Sequence, residues 1–361
     1  MKVMTLFGTR PEMIKLWSSL RALDQTKGIE HVMVHTGQNF TPELKDFFFR
    51  DLGLRPPDVQ LQIETASYGK EVADVIRKSE ELFIRHKPDA LVILGDTYSG
   101  LSIMPATARG IRTFHLEAGL RAWDARMPET RNRLLIDHMA TFLLPFRSFH
   151  RDNLIREGIH PAKIFVMGNP TFEVMRALQP KINRSRILSR LGLQRKKYLV
   201  ATAHRSENVD DPASLKSLMV SLEAAARASG WPVVYPMHPR TRSRLGGGPT
   251  YKNVRILDPL GFLDYQALIR EAVVLLSDSG TTPEEAYFYQ VPAISLRYST
   301  ERPETVEGGA HIVAGLDPAQ VSRAVHCVLN RPWQGTYDLE VNHSPSSVLI
   351  SLLLSEIRIF P

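Results

Sequence analysis

Short apolar runs alternate with amphipathic segments along the whole chain. This alternation is typical of parallel sheets that are covered by helices on both faces. Strands are predicted over residues 3–7, 31–35, 90–94, 113–116, 142–144 and 164–167 in the first half, and over 198–202, 233–237, 254–257, 273–276 and 293–296 in the second. Helices are predicted over residues 13–23, 42–52, 71–86, 213–228, 263–271, 318–329 and 345–359.

The repeated pattern predicts an α/β fold with two doubly wound, Rossmann-like domains of similar size that face a central cleft. The chain is expected to cross from one domain to the other near residues 168–180. We therefore place an N-terminal domain at residues 1–170 and a C-terminal domain at residues 171–344, and we expect the last segment, 345–361, to pack back on the first domain.

The composition is that of a globular protein, with 43% hydrophobic and 23% charged residues among 361. The net charge is +7, but Lys and Arg are interspersed with Asp and Glu, and the densest basic run, 184–197, is typical of a solvated helix face. The one cysteine, Cys327, excludes an internal disulfide framework and fits a reducing compartment.

The first apolar run ends at Gly8 and predicts a strand rather than a signal peptide. No apolar run reaches the roughly 18 residues that a membrane span needs. We therefore predict a soluble, cytoplasmic protein that has neither nucleic acid nor a membrane as a partner.

Acidic residues follow the strands of the first half. Asp96 comes directly after the strand at 90–94, Glu117 after the strand at 113–116, and Glu129 lies a short way beyond. Carboxylates at the carboxyl edge of a parallel sheet are well placed for chemistry, and acids that converge raise the pKa of at least one member by repulsion and burial. The structural alternatives are that Asp96 pairs with Arg121 and that Glu129 lies beside a helix N-cap.

Basic residues follow other strands. Arg10 and Lys15 lie at and after the turn from the first strand into a helix, where an anion is favoured. His204 and Arg205 follow the strand at 198–202, and His238 follows the next strand. A structural role for such a histidine is the alternative. The chain has no Gly-x-Gly-x-x-Gly or Walker motif, and neither an HExxH pair nor a cysteine set indicates a metal.

The segment 277–286 combines a strand end, a turn and a helix start. The turn Ser279-Gly280-Thr281 leaves backbone N–H groups free for a phosphate, and Glu285 in the following helix can accept hydrogen bonds from a ribose diol. An ordinary strand-to-helix turn is the alternative. Tyr265 can stack on a base, although packing in the core is the commoner role of such an aromatic residue.

Eight motifs in collinear order, spread between residue 2 and about residue 330, resemble the non-hydrolysing UDP-N-acetylglucosamine 2-epimerases. They are GTRPE with Lys15, HTGQN at 35–39, GDT at 95–97, HLEAGLR at 115–121, PE-x-x-NR at 128–133, HR-x-EN at 204–208, DSG-x-x-x-EEA at 278–286 and TERPE at 300–304.

The resemblance implies a GT-B fold, a UDP-sugar substrate, no cofactor and a homodimer. It also implies that UDP is eliminated to give a 2-acetamidoglucal and then added back with carbon 2 protonated on the other face. The catalytic residues that it implies are Asp96, Glu117, Glu129, Lys15 and His204. The substrate-binding residues that it implies are Arg10, Tyr265, Ser279, Gly280, Thr281 and Glu285, and the position of Arg205 and His238 after strands makes these two further candidates for binding a phosphate.

Two departures from the family pattern bear on the substrate and on activation by a second UDP-N-acetylglucosamine. Thr281 stands where the family usually has glycine, and Asn39 to Pro42 replace a segment that binds a second, activating UDP-N-acetylglucosamine in many bacterial members. The chain is also similar to a sister group that epimerises UDP-linked 6-deoxy-N-acetylhexosamines on the way to N-acetylfucosamine. That substrate, a hydrolysing epimerase and a glycosyltransferase of the same fold are therefore the alternatives.

Overall fold

The computed structural model describes residues 1–37, 49, 52–64, 67–122, 128–246, 251–331 and 343–357, without the side chains of Pro128, Glu129 and Arg240. The chain divides into two compact units, which are residues 1–176 with 339–361, and residues 177–338. Each unit contains a six-stranded sheet in which every neighbouring pair of strands is parallel.

The sheet of the first unit has the strand order β3-β2-β1-β4-β5-β6, the order of the classic dinucleotide-binding fold. Its strands are β1 (Lys2–Phe7), β2 (Glu30–His35), β3 (Val59–Gln60), β4 (Ala90–Leu94), β5 (Arg112–Leu116) and β6 (Phe142–Leu144). Its helices are α1 (Arg10–Gln25), α2 (Tyr68–His86), α3 (Ile103–Ala108), α4 (Pro128–Met139), α5 (Ser148–Arg156), the start of α6 (Pro170–Asn183), and α15 (Pro345–Leu354) near the end of the chain.

The second unit repeats the plan, with the strand order β12-β11-β10-β7-β8-β9. Its strands are β7 (Leu199–Thr202), β8 (Val233–Pro236), β9 (Val254–Leu257), β10 (Leu275–Ser277), β11 (Ala293–Ser295) and β12 (His311–Val313). Its helices after α6 are α7 (Ile187–Leu191), α8 (Ser206–Val209), α9 (Pro212–Ser229), α10 (Pro239–Leu245), α11 (Phe262–Arg270), α12 (Thr282–Phe288), α13 (Pro303–Glu307) and α14 (Pro318–Asn330).

The central strands are buried because helices cover both faces of each sheet. All five residues of β4 are buried, and so are the three of β10. Helix α1 begins where the sequence supplies a complete N-terminal signal, since Thr9 and Glu12 form a capping box and a proline occupies the first turn. The described helices include none with both the length and the apolar composition needed to cross a bilayer.

The predicted α/β fold is confirmed, and ten of the eleven predicted strands lie on observed strands or within two residues of their bounds. The strand expected at 164–167 is wrong. Only Ile164 forms an isolated bridge, to Leu143, and the chain then runs beside β6 without joining the ladder. The short edge strands β3 and β12 were not predicted, because two or three residues carry no readable pattern.

The predicted helices in the described part of the chain are all observed, and most extend a few residues further than expected. The last one ends earlier, at Leu354 rather than residue 359, and it packs against α1. The helix predicted at 42–52 falls largely outside the described residues, as does Asn39 to Pro42, so both stay predictions.

Candidate active site

Two strand ends of the first unit bring Asp96 and Glu117 to the same edge of the sheet. Strands β4 and β5 pair in parallel with Leu94 opposite Leu116, so both chains leave the sheet side by side. Gly95 turns the chain with φ +77°, and a Cβ at this position would lie 3.1 Å from Glu117 Oε2. A glycine between the two strand ends therefore leaves room for the Glu117 carboxylate.

Glu117 forms a buried ion pair with Lys15. Lys15 Nζ lies 2.6 Å from Glu117 Oε1, and the two side chains are only 6% and 5% exposed. Glu117 itself has φ +67°, a left-handed conformation that is costly for a residue with a side chain. Arg133 Nη1 stabilises this backbone by donating to the Glu117 carbonyl at 2.6 Å, and it lies 4.0 Å from Glu117 Oε2.

Asp96 is held by helix α4. Arg133 Nη2 donates to Asp96 Oδ2, and Asn132 Nδ2 donates to the Asp96 carbonyl at 3.0 Å. The alternative that Asp96 pairs with Arg121 is therefore wrong. Arg121 turns away to Asp137 and Glu157, because its guanidinium reaches these two carboxylates at the base of the loop.

Asp137 is a fully buried carboxylate that holds the loop carrying Glu117 in place through several contacts. It accepts hydrogen bonds from the Gly119 N–H at 3.2 Å and from Arg121 Nη2 at 2.8 Å, and it contacts His115 Nδ1 at 2.8 Å. Burial alone would raise the pKa of Asp137, but the charges of His115 and Arg121 and the hydrogen bonds outweigh burial and lower it. The other ring nitrogen, His115 Nε2, donates to the Gly95 carbonyl at 2.8 Å, so His115 links the two acid-bearing loops.

Each acid in this part of the site lies beside a cation, Arg133 for Asp96 and Lys15 for Glu117, and Arg133 also lies 4.0 Å from Glu117 Oε2. Arg133 and Lys15 offset part of the negative charge of Asp96 and Glu117, and the mutual repulsion expected between these acids stays a prediction. Glu129 lies in the first turn of α4, one helical turn before Arg133, and its side chain lies outside the described residues.

Glu12, which sequence reasoning did not select, has a raised pKa. Burial raises its pKa, and hydrogen bonds oppose that effect. Its carboxylate accepts from the N–H groups of Gly8 and Thr9 at 3.1 and 2.8 Å, and from the hydroxyls of Thr9, Thr97 and Ser99. Glu12 thereby ties the turn before Arg10 to the loop after Asp96.

In the second unit, the turn between β10 and α12 is shaped by its own side chains. Ser277 Oγ accepts from the Ser279 N–H at 3.0 Å, and Ser279 Oγ accepts from the Thr281 N–H at 3.3 Å. Thr281 has φ −96° and ψ −35°, an ordinary right-handed conformation that any residue adopts. At Gly280 a Cβ would lie 2.7 Å from Glu301 Oε2, so a larger residue there would require the end of that side chain to move.

Asp278 fixes the backbone that precedes α8. It is fully buried and accepts from the N–H groups of His204 and Arg205, both at 3.0 Å to Oδ2, and from Asn208 Nδ2 at 3.1 Å. The His204 side chain is 53% exposed, with Nδ1 3.8 Å from Asp278 Oδ1. Two predicted residues, His204 and Arg205, are therefore brought to the same strand edge as Ser279.

The remaining predicted residues lie elsewhere on the two units. Arg10 is the first residue of α1 and is half-buried. His238 is exposed in the loop after β8, and Tyr265 is half-buried on α11. Glu285 is buried in the first turn of α12, where its carboxylate accepts from Gln266 Nε2 at 2.8 Å.

Sequence reasoning missed residues that position the predicted side chains within each unit. Within or close to the quoted motifs, they are Glu12, His115, Arg133, Asp137, Asp278 and Glu301. A signal for Asp137 was available, because it lies one helical turn after Arg133 and therefore on the same face of α4.

An open cavity of about 510 Å³ in the second unit is lined by none of these residues. It is lined by Asn183, Arg195, Lys196, Arg270, Glu271 and Tyr289. Lys196 and Glu271 come shortly before β7 and β10, so the cavity is at the amino edge of the sheet, opposite the turn at Ser279. Across the described ranges, no three His, Cys, Asp or Glu side chains cluster so as to hold a metal ion.

Comparison with known proteins adds independent information. A family model described as UDP-N-acetylglucosamine 2-epimerase matches residues 21–344. The UDP-N-acetylglucosamine 2-epimerase of Methanocaldococcus jannaschii is 34% identical over 350 residues, which cover 93% of this chain and 95% of that protein. A UDP-2,3-diacetamido-2,3-dideoxy-D-glucuronate 2-epimerase of Pseudomonas aeruginosa is 34% identical over 324 residues, covering 87% of this chain and 88% of that one.

A solved structure shows the same similarity in three dimensions. The crystal structure of the Methanocaldococcus jannaschii enzyme in complex with UDP-GlcNAc and UDP superposes with a TM-score of 0.91 at 32% identity. The match covers 98% of this chain and 99% of that one. The likeness therefore extends over both units.

Proposed function

Because this chain belongs to the UDP-N-acetylglucosamine 2-epimerase family, we propose that it interconverts UDP-N-acetylglucosamine and UDP-N-acetylmannosamine without net hydrolysis. In the first stage a base removes the proton from carbon 2, a double bond forms between carbons 1 and 2, and the bond from carbon 1 to the diphosphate breaks. The products of this stage are 2-acetamidoglucal and UDP. In the second stage UDP adds back to carbon 1 while an acid protonates carbon 2 from the opposite face.

This chemistry requires proton-transferring groups for the two faces of the sugar and cations for the departing diphosphate. The observation that carries the proposal is the pair of acids at one sheet edge, Glu117 with Lys15 and Asp96 with Arg133. A neighbouring cation favours the charged form of a carboxylate, which is the form that can accept a proton. We assign proton transfer to Asp96, Glu117 and Glu129, and we assign stabilisation of the leaving group to Lys15, Arg10 and His204.

The second unit supplies the proposed nucleotide site. The turn Ser279-Gly280-Thr281 is assigned to phosphate oxygens with Arg205 and His238, Glu285 to the ribose, and Tyr265 to the uracil. The right-handed backbone at Thr281 supports this assignment, because a threonine there causes no backbone strain.

The test is incubation with UDP-N-acetylglucosamine in deuterated water, followed by NMR. We expect deuterium at carbon 2 of both sugar nucleotides and a mixture of the two epimers at equilibrium. Glu117→Gln should remove both signals while leaving UDP binding intact. Accumulation of free N-acetylmannosamine with UDP would instead identify a hydrolysing enzyme, and the absence of exchange with every UDP-sugar tried would refute the proposal.

The sugar itself is the variable part of the proposal. One relative at 34% identity is named for a diacetamido-glucuronate rather than for N-acetylglucosamine, so related chains act at carbon 2 of different sugars. The assay therefore includes UDP-linked 2,3-diacetamido-glucuronate and a UDP-linked 6-deoxy-N-acetylhexosamine. We expect UDP-N-acetylglucosamine to have the highest kcat/KM, and a higher value for either analogue would reassign the substrate.

We also propose that the enzyme acts as a homodimer in the cytoplasm. The resemblance to the family supports the dimer, and the single cysteine, which fits a reducing compartment, supports the cytoplasm. Size-exclusion chromatography with light scattering measures the mass directly, and a mass near that of one 40.7 kDa chain would contradict the dimer.

A further inference from the structure

Three charged side chains meet beside the turn at Gly280. Glu301 Oε1 lies 3.4 Å from Arg205 Nη2 and 3.1 Å from Arg297 Nη2, so a single carboxylate oxygen bridges two guanidinium groups. The three side chains are 19%, 6% and 14% exposed for Arg205, Arg297 and Glu301 respectively. Arg297 follows β11, the strand next to β10, so all three reach the carboxyl edge of the sheet.

The second oxygen of Glu301 is directed at the turn. A Cβ placed on Gly280 would lie 2.7 Å from Glu301 Oε2 and 3.7 Å from Arg297 Nη1. The carboxylate and one guanidinium therefore rest against the backbone of Gly280. A side chain at this position would require the end of the Glu301 side chain to shift.

We propose that Glu301 is an internal carboxylate that holds Arg205 and Arg297 beside the turn and gives up both arginines to the diphosphate when UDP binds. The inference rests on the proposed function, which assigns the nucleotide diphosphate to this turn. It adds Arg297 to the phosphate-binding residues and gives Glu301 a role in the affinity for UDP.

The chemistry of the groups supports an exchange of anions. Guanidinium groups bind carboxylate and phosphate oxygens in the same planar, bidentate geometry, so the two anions compete for the same donors. A diphosphate carries more negative charge than one carboxylate, so the two guanidinium groups bind the diphosphate in preference to Glu301. Glu301 then faces a second anion in a half-buried site, where repulsion is screened less than in water. Glu301 therefore lowers the affinity for UDP and hastens its release.

Glu301→Gln tests the sign of this effect. The glutamine keeps the shape and one hydrogen bond to an arginine but removes the charge. We expect UDP to bind roughly 5- to 20-fold more tightly by isothermal titration calorimetry, and to dissociate more slowly, because a competing charge of this kind is worth on the order of a factor of ten. A residue that only orders the arginines would give the opposite result, weaker binding of UDP.

Comparing the affinity for uridine with the affinity for UDP shows whether a variant acts on the binding of the diphosphate or on the rest of the nucleotide. Because uridine has no phosphate, its affinity should be the same for the wild-type protein and for Glu301→Gln. Arg297→Gln should weaken UDP by roughly tenfold or more and leave uridine unchanged, as expected for loss of a charge-assisted contact. Retained uridine binding also shows that each variant is folded.

The second unit offers a matched control in Glu271. Its carboxylate likewise bridges two arginines, with Arg195 Nε at 2.7 Å and Arg270 Nε at 2.8 Å, but it lies at the amino edge of the sheet. Glu271→Gln should leave the affinity for UDP unchanged.

The outcomes separate this inference from the proposed function. Wild-type protein that neither binds UDP nor exchanges the carbon-2 proton refutes the proposed function. Wild-type protein that does both, while Glu301→Gln binds UDP no more tightly or Arg297→Gln binds it no more weakly, overturns the inference alone.

Discussion

Replacing Lys15 with methionine should destabilise the first unit because it leaves the Glu117 carboxylate buried without its partner. The two side chains are 6% and 5% exposed and their charged atoms lie 2.6 Å apart. Removing one member of such a buried pair costs about 3–5 kcal/mol, since the remaining charge is uncompensated. Arg133 Nη1 lies 4.0 Å from Glu117 Oε2 and offsets part of the charge, so we expect the lower end of that range, about 3 kcal/mol.

The double variant Lys15→Met/Glu117→Gln isolates the free-energy cost of leaving the Glu117 charge buried and unpaired. With both charges removed, the free energy of unfolding should fall by only about 1 kcal/mol, because a buried pair replaced by neutral groups of similar volume is often nearly neutral. Neither variant should epimerise the substrate. The recovery of stability without recovery of activity would separate the two roles of the pair.

Urea-induced unfolding, followed by circular dichroism and tryptophan fluorescence, measures these differences. Trp17 lies two residues after Lys15 on α1 and donates to the Leu52 carbonyl at 2.7 Å, so its emission reports on this helix. The reasoning is refuted if Lys15→Met is as stable as the wild type, or if the double variant loses as much as the two single variants together.

Two further predictions concern residues outside the proposed chemistry. Gly119→Ala should lower the free energy of unfolding by more than about 3 kcal/mol, because Gly119 has φ +77° and the new Cβ would lie 2.2 Å from the His150 carbonyl oxygen. Gly110→Ala is the control, since Gly110 has a similar φ of +71° but open space around the new Cβ. In the same urea titration it should cost only about 1–2 kcal/mol. Burial and the charge of Arg297 lower the pKa of His311 from 6.5 to about 4. Between these two pH values the unfolded chain binds a proton that the folded protein does not. The free energy of unfolding should therefore fall by about 3 kcal/mol between pH 6.5 and 4, at ~1.4 kcal/mol per pH unit. His311→Asn should lose less stability over that interval, and an identical loss in both proteins would contradict this account.

The central strands could be predicted from the sequence because their burial on both faces leaves an uninterrupted apolar run. Strand β4, with five buried residues, was located exactly. The edge strands β3 and β12 depend on a neighbouring strand rather than on a pattern of their own. The segment at 164–167 is apolar because it packs beside β6, and an apolar run by itself does not distinguish such packing from pairing.

The position of the acids could also be predicted, because strand ends of a parallel sheet meet at one edge. The ion-pair partners of these acids could not be predicted. Arg121 is close to Glu117 in sequence but turns to Asp137, whereas Arg133 reaches Asp96 from helix α4. Which carboxylate each arginine pairs with depends on the direction in which helix α4 crosses the sheet edge, and no local sequence pattern encodes that direction.

The separate pairing of Asp96 and Glu117 suits a reaction that takes one proton from carbon 2 and returns another to its opposite face. Two carboxylates that share a proton titrate as a unit, so neither can change its charge alone. Here the nearest counter-charge of Asp96 is Arg133 and that of Glu117 is Lys15, while Arg133 also lies 4.0 Å from Glu117 Oε2. When Glu117 accepts a proton in the proposed mechanism, its charge disappears and that of Lys15 is no longer neutralised. In the proposed mechanism this positive charge therefore appears in the same step in which the bond to the diphosphate breaks, when it stabilises the transition state rather than the bound substrate.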